Sequence, residues 1–134
     1  MNNFSEKVWK KQQVEGPKEM NIKTKCIYEP AEPDDGYRIL VMRFWPRGIS
    51  KGKIDSWEKE LGTPAELIKK WKGGSINWNQ FSKQYLDSIS DKGDILNKIA
   101  QIAKKQTVTL LCSCKDPAQC HRILLKQLLM QKHK

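Results

Sequence analysis

"TVTLLCSCKDPAQCHRILLKQLL", residues 107–129, reads as a strand, a cysteine-bearing turn and a helix in direct succession. Its first six residues, 107–112, form a short, strongly apolar run of the length a buried strand needs. Asp116 and Pro117 then turn the chain. Beyond the turn, Leu124, Leu125, Leu128 and Leu129 recur at the spacing of one inward helical face. The order of these three pieces decides the fold class, and the rest of the chain repeats their logic.

"YRILVMRFW", residues 37–45, is the other strongly buried strand. Ile39 and Val41 share a face with Arg43 and Trp45, while Leu40, Met42 and Phe44 line the opposite one. A run apolar on both faces suits a central, parallel strand, and Pro46 and Gly48 stop it. Upstream, Ile22, Thr24, Cys26 and Tyr28 alternate with Lys23 and Lys25, the pattern of a half-exposed strand. Pro30, Pro33, Asp34, Asp35 and Gly36 follow as a turn-rich loop. Residues 49–62 read as a further loop.

Three helices are expected between the two buried strands. Thr63, Pro64 and Glu66 supply an N-cap, a proline at the first helical position and a capping-box acid, with Gly73 and Gly74 closing that helix. A second runs from about Trp78, with Phe81, Tyr85 and Ile89 on one stripe. The third spans Asp94 to about Lys105 and presents Ile95, Ile99 and Ile102 or Ala103. This alternation predicts a compact single α/β domain, residues 20–134, with a mainly parallel sheet flanked by helices. Residues 1–19 are polar and read as an N-terminal extension, mobile or weakly helical.

At 134 residues, 38% of them hydrophobic and 30% charged, the chain has the composition of a soluble domain with its own core. No window approaches the ~18 apolar residues of a membrane span, and the first residues lack the apolar segment of a signal peptide. No membrane association and a cytoplasmic location are therefore expected. In that compartment the four cysteines are thiols or metal ligands rather than disulfides. The net charge of +10 raises a nucleic-acid-binding reading through counterion release. Lysines supply 21 of the 25 positive charges and are spread through almost every segment, as on a solvated surface. Arginines are localised instead: Arg38, Arg43 and Arg47 fall within ten residues, and guanidinium is the better bidentate partner for phosphate or carboxylate.

In open α/β sheets ligands sit outside the carboxyl ends of the strands. If the two buried strands are parallel neighbours, the loops after them converge, bringing Arg43 or Arg47 near Cys112, Cys114, Cys120 and His121. An anionic small molecule would then be held by Arg43 and Arg47, with Trp45 as a flat wall and Arg122 at the helix start adding donors. Cys120 sits where that helix begins, a position that lowers a thiol pKa. Cys120 or Cys114 is the candidate nucleophile and His121 the candidate base. The structural alternative makes Cys26 and Cys112 core fillers, Cys120 and His121 a cap, and Arg47 an ion-pair partner of Asp34 or Asp35. Trp57, Trp71 and Trp78 read as core and interhelix residues.

A metal site built from Cys112, Cys114, Cys120 and His121 has the right ligand types, but C-x-C-x5-C-H lacks the usual zinc C-x2-4-C pair. No cofactor is required by the sequence. A tyrosine-phosphatase loop needs a cysteine six residues before the arginine, and position 116 is aspartate. Four segments together, "YEPAEPDDGYRILVMRFWPRGISK", "WEKELGTPAELIKKW", "WNQFSKQYL" and "VTLLCSCKDPAQCHRILLKQLL", resemble the domain of unknown function 488 family, in its YeaO-like branch. The resemblance spans about Met20 to Leu129 and implies a compact α/β domain. It implies no specific reaction. Where that branch would place an aspartate before the arginine this chain has Met42, so no carboxylate role carries over.

Overall fold

Four parallel strands carry the fold of this protein, for which a computed structural model describes residues 20–114, 116 and 119–132. The extension expected over residues 1–19 and the turn assigned to Pro117 lie outside the described residues. Strands β1 (Ile22–Cys26), β2 (Tyr37–Leu40), β3 (Ser56–Trp57) and β4 (Val108–Cys112) are ordered β1-β4-β2-β3. Every adjacent pair is parallel, and β4 pairs Ile22 with Val108 on one side and Tyr37 with Val108 on the other. The two strands read as central are thus hydrogen-bonded neighbours, as the convergence of their loops requires.

Period-two alternation splits the strand residues between two faces. Ile22, Ile39, Val41, Val108 and Leu110 enter the main core. That core also takes residues from α1 (Ala65–Lys72), α2 (Trp78–Ser88), α3 (Gly93–Ala103) and α4 (His121–Lys132). Leu124, Leu125 and Leu129 of α4 are buried as expected, and Leu128 packs half-buried beside them. Of the pair left open in α3, Ala103 is buried and Ile102 packs partly buried against the core. Each fully buried leucine contributes roughly 1.5–3 kcal/mol. Leu40 and Leu111 point the other way, where a smaller cluster with Ile27 is closed by Met42, Trp45, Ile49 and Ile54 from loops. The sheet therefore has helices on one face and loops on the other.

The loop-covered face also carries charge. Lys23, Thr109 and Arg38 lie in one row across β1, β4 and β2. Lys25, expected to alternate toward solvent, is buried, because the fully buried Asp35 sits against it. Asp35 belongs to a 3-10 turn, Pro33–Asp35, and accepts from Lys25 Nζ at 3.1 Å, from Lys23 Nζ at 3.2 Å, from Arg38 Nη1 and from the Glu32 N–H at 3.1 Å. Gly36 ends that turn with φ 65°, and a Cβ there would stand 2.1 Å from the Thr107 carbonyl oxygen. Only glycine meets both demands.

Three expectations shift. Strand β2 ends at Leu40, although the Val41 N–H still donates to the Leu111 carbonyl; beyond it Arg43 and Phe44 line the helix-side cavity while Trp45 packs on the opposite face. The 49–62 loop contains β3, a strand too short for a periodicity signal. Helix α1 starts at Ala65 without a side-chain cap; Pro64, extended at φ −56° and ψ 142°, precedes it, and Thr63 is buried beneath. Helix α2 begins at Trp78 as expected, capped by Asn77, which reciprocates hydrogen bonds with Gln80. No helix among the described residues is long and apolar enough to cross a membrane.

Candidate functional site

A cavity of about 190 Å³ opens between the loop after β2 and the loop after β4. Met42, Arg43 and Phe44 line it from one side, and Cys112, Ser113, Cys114, Gln119, Cys120 and His121 from the other. Helices α1 and α2 close it with Thr63, Ile68, Trp71, Lys72 and Phe81. Most of this wall is apolar, and its charged members are Arg43 and Lys72. Phe44, 66% exposed, stands at the mouth.

Chain geometry explains why these groups meet. Cys112 closes β4 and shares the helix-side parity of Val108 and Leu110, so its side chain points under the start of α4. Cys120 immediately precedes that helix, and the two Sγ atoms lie 2.9 Å apart, both buried. The Cys114 N–H donates to Cys112 Sγ at 3.4 Å, and Arg122 Nη1 donates to it at 3.5 Å. A thiol from Cys120, a backbone amide and a guanidinium thus converge on one sulfur. Against the opposing effect of burial they hold the Cys112 thiol down at about 7, the Cys120 hydrogen bond being the largest contribution. Cys120 is pushed well above the ordinary thiol range, first by that same shared hydrogen bond and then by burial. The two sulfurs share one short hydrogen bond, so they titrate as a pair, the first proton leaving more readily than the second.

His121 is fully committed at one nitrogen. Its Nε2 bonds the Val41 carbonyl, which makes Nε2 the protonated position and leaves Nδ1 as an acceptor 3.7 Å from Cys120 Sγ. Burial pushes the imidazole pKa down to about 4, so at neutral pH the ring is uncharged. The Tyr85 ring meets it edge-on, with centroids 5.3 Å apart, and the Tyr85 hydroxyl donates to the Leu61 carbonyl at 2.6 Å. Arg122 is 1% exposed and turned inward, donating to the carbonyls of Cys114 at 2.9 Å, Lys25 at 3.2 Å and Cys112 at 3.5 Å. It ties the cysteine loop to β1 and carries the positive charge beneath Cys112.

Of the residues singled out from sequence, Arg43, Cys112, Cys114, Cys120 and His121 line the cavity. Arg43 donates to the Gly62 carbonyl at 3.3 Å, and its buried Nε has no hydrogen-bond partner among the described residues. Trp45 and Arg47 lie elsewhere. Trp45 packs in the smaller cluster, donates to the Ile49 carbonyl at 2.8 Å and meets Trp57 edge-on. Arg47 is exposed, with its carbonyl accepting from the Tyr28 hydroxyl. Asp35, the alternative partner considered for Arg47, is held by Lys23, Lys25 and Arg38. Trp71 and Trp78 join Phe81 in an aromatic cluster, whereas Trp57 is 38% exposed. Cys112, the last residue of the most buried strand, is buried as the core-filler reading expects and also lines the cavity, at the carboxyl end of its strand.

Cys112, Cys120 and His121 place one ligand atom each within 4.8 Å of one another. Two thiolates on one tetrahedral zinc stand ~3.7 Å apart, given Zn–S bonds of about 2.3 Å. The observed 2.9 Å is shorter, and Arg122 already supplies a cation beside Cys112.

Close packing fixes the cavity's rim. A Cβ on Gly62 would stand 2.3 Å from the Arg43 nitrogen and 2.6 Å from the Met42 carbonyl carbon. Gly62→Ala is therefore expected to destabilise the fold by about 1–3 kcal/mol through overpacking, read as a lowered urea midpoint at unchanged slope.

A family model described as "Active DUF488-N3 subclade" matches residues 22–133. "Uncharacterized protein YeaO" of Escherichia coli K12 is 44% identical over 108 residues, covering 79% of this chain and 94% of that protein. "Uncharacterized protein Mb3100c" of Mycobacterium bovis and "Uncharacterized protein Rv3073c" of Mycobacterium tuberculosis H37Rv are each 28% identical over 114 residues, covering 84% of this chain and 96% of theirs. No solved structure matches the chain significantly.

Proposed function

The chain belongs to the DUF488 family, in its YeaO-like branch, and within it we propose a thiol-dependent enzyme whose nucleophile is Cys112. The observation that carries this reading is the convergence of Cys120, the Cys114 N–H and Arg122 on the Cys112 sulfur at the wall of a cavity. A thiolate is the nucleophilic form of cysteine, and a lowered pKa populates it at neutral pH.

The substrate class follows from the wall. Ile68, Trp71, Phe81 and Phe44 offer an apolar bed, and Arg43 and Lys72 offer positive charge. The ligand is a small molecule with an apolar body, an anionic group and an electrophilic atom that reaches Cys112. Cys120 shares its proton with Cys112, and His121 stands neutral beside the pair with Nδ1 3.7 Å from Cys120 Sγ.

Paired alkylating reagents test the charge preference. Free thiols react faster with neutral iodoacetamide than with anionic iodoacetate. At Cys112 the iodoacetate-to-iodoacetamide rate ratio is expected to exceed that of free cysteine by about tenfold, since a cationic cleft concentrates anions. Arg43→Met should return most of that gain. A ratio equal to that of free cysteine and indifferent to Arg43 would count against the anion-binding half of the reading.

A further inference from the structure

We infer that Cys112 and Cys120 form a two-electron redox pair that reduces an organic hydroperoxide bound in the cavity. This rests on Cys112 being the nucleophile and adds a co-reactant, a product and a role for Cys120. Its geometric basis is the 2.9 Å separation of the two buried sulfurs beside a largely apolar space. Closing to a disulfide bond of about 2.05 Å requires the sulfurs to approach by under ~1 Å. Cys114 is differently placed, its thiol directed to the carbonyls of Asp116 at 3.7 Å and Gln119 at 4.0 Å.

In the first step Cys112 Sγ attacks the terminal oxygen of R–O–O–H. An S–O bond forms, the O–O bond breaks, and the alkoxide leaves, taking a proton from solvent to become the alcohol. Sulfur is oxidised by two electrons to the sulfenic acid and the peroxide is reduced by the same two. In the second step Cys120 Sγ attacks Cys112 Sγ, forming the S–S bond and breaking S–O. The departing hydroxide takes the Cys120 proton and leaves as water. A dithiol reductant, by thiol–disulfide exchange, returns both thiols. Net, one hydroperoxide and two thiols give an alcohol, water and a disulfide. The apolar wall favours an organic R group over hydrogen peroxide itself.

Cumene hydroperoxide added to the reduced full-length protein tests this. The expected result is loss of two thiols per peroxide consumed, with a Cys112–Cys120 linkage in the non-reducing peptide map that dithiothreitol reverses. Cys120→Ser should block the linkage and leave Cys112 as a sulfenic acid that dimedone captures, and Cys114→Ser should change neither outcome. The folded protein should outpace its urea-unfolded form by at least about tenfold, as a lowered thiol pKa predicts. A linkage through Cys114, or oxidation no faster than in the unfolded chain, overturns the inference. If Cys112 alkylates rapidly while cumene hydroperoxide leaves it reduced, the redox inference fails and the nucleophile reading survives. Slow alkylation of Cys112 removes both.

Discussion

Asp35→Asn is expected to destabilise the protein by about 3–5 kcal/mol, the loss that follows when one partner of a buried ion pair is removed. Asparagine keeps the shape but not the charge. Lys25 and Arg38, each 8% exposed, would be left as buried cations facing a neutral amide. Urea denaturation followed by tryptophan fluorescence measures the change. The same carboxylate predicts an acid response. Burial opposes its ionised form, but the Glu32 N–H and the Lys25 and Lys23 ammonium groups outweigh that and hold its pKa down at about 2, from 3.8. Between these values the unfolded chain binds the proton and the folded chain does not, so acid favours unfolding. The contribution is complete above pH 4 and disappears as pH falls through 2. In Asp35→Asn that part of the acid-induced loss should be missing.

Arg122→Met should combine a stability loss with a change in chemistry. The buried guanidinium satisfies the carbonyls of Cys114 and Lys25 and approaches that of Cys112. Methionine fills comparable space but donates nothing. The Lys25 and Cys112 carbonyls also sit in the β1–β4 ladder, whereas a buried carbonyl left unpaired loses roughly 1–3 kcal/mol, so the Cys114 contact alone implies about 1–3 kcal/mol. Removing the cation beside Cys112 Sγ should also raise that thiol's titration, though by less than loss of the Cys120 hydrogen bond would. Arg122→Lys separates the effects: a single ammonium keeps the charge but cannot span several carbonyls. It should recover reactivity more than stability. A variant that loses stability while Cys112 still titrates near 7 would show that Arg122 acts on packing alone.

The topology was legible because its signals are local. Two short runs apolar on both faces, residues 37–45 and 107–112, have little option but the middle of a parallel sheet, and they are neighbours there. Leu124, Leu125 and Leu129 at helical spacing likewise had only one face to bury. The polar network was not legible. Lys25, Asp35 and Arg38 meet only once β1, β2 and the Pro33–Asp35 turn are assembled, and nothing in "IKTKC" distinguishes a lysine that reaches solvent from one that reaches a buried carboxylate. The cavity was half legible: Arg43 was placed correctly on the rim, whereas Trp45 and Arg47 follow the chain after it has left the sheet and end on its loop-covered face. The neighbours of Cys112 were not legible for a physical reason. A cysteine in an apolar strand looks like filler until the sulfur eight residues later, and the arginine beneath both, are seen to face it.

The central claim is that Cys112, among the cysteines, is the thiolate at neutral pH, and peptide-resolved alkylation of the native protein across pH 5–10 tests it most directly. The predicted result is a Cys112 modification rate that rises through a midpoint near 7, with Cys120 protected over the whole range. A Cys112 midpoint in the ordinary thiol range, or faster modification of Cys120 or Cys114 at pH 7, would contradict it.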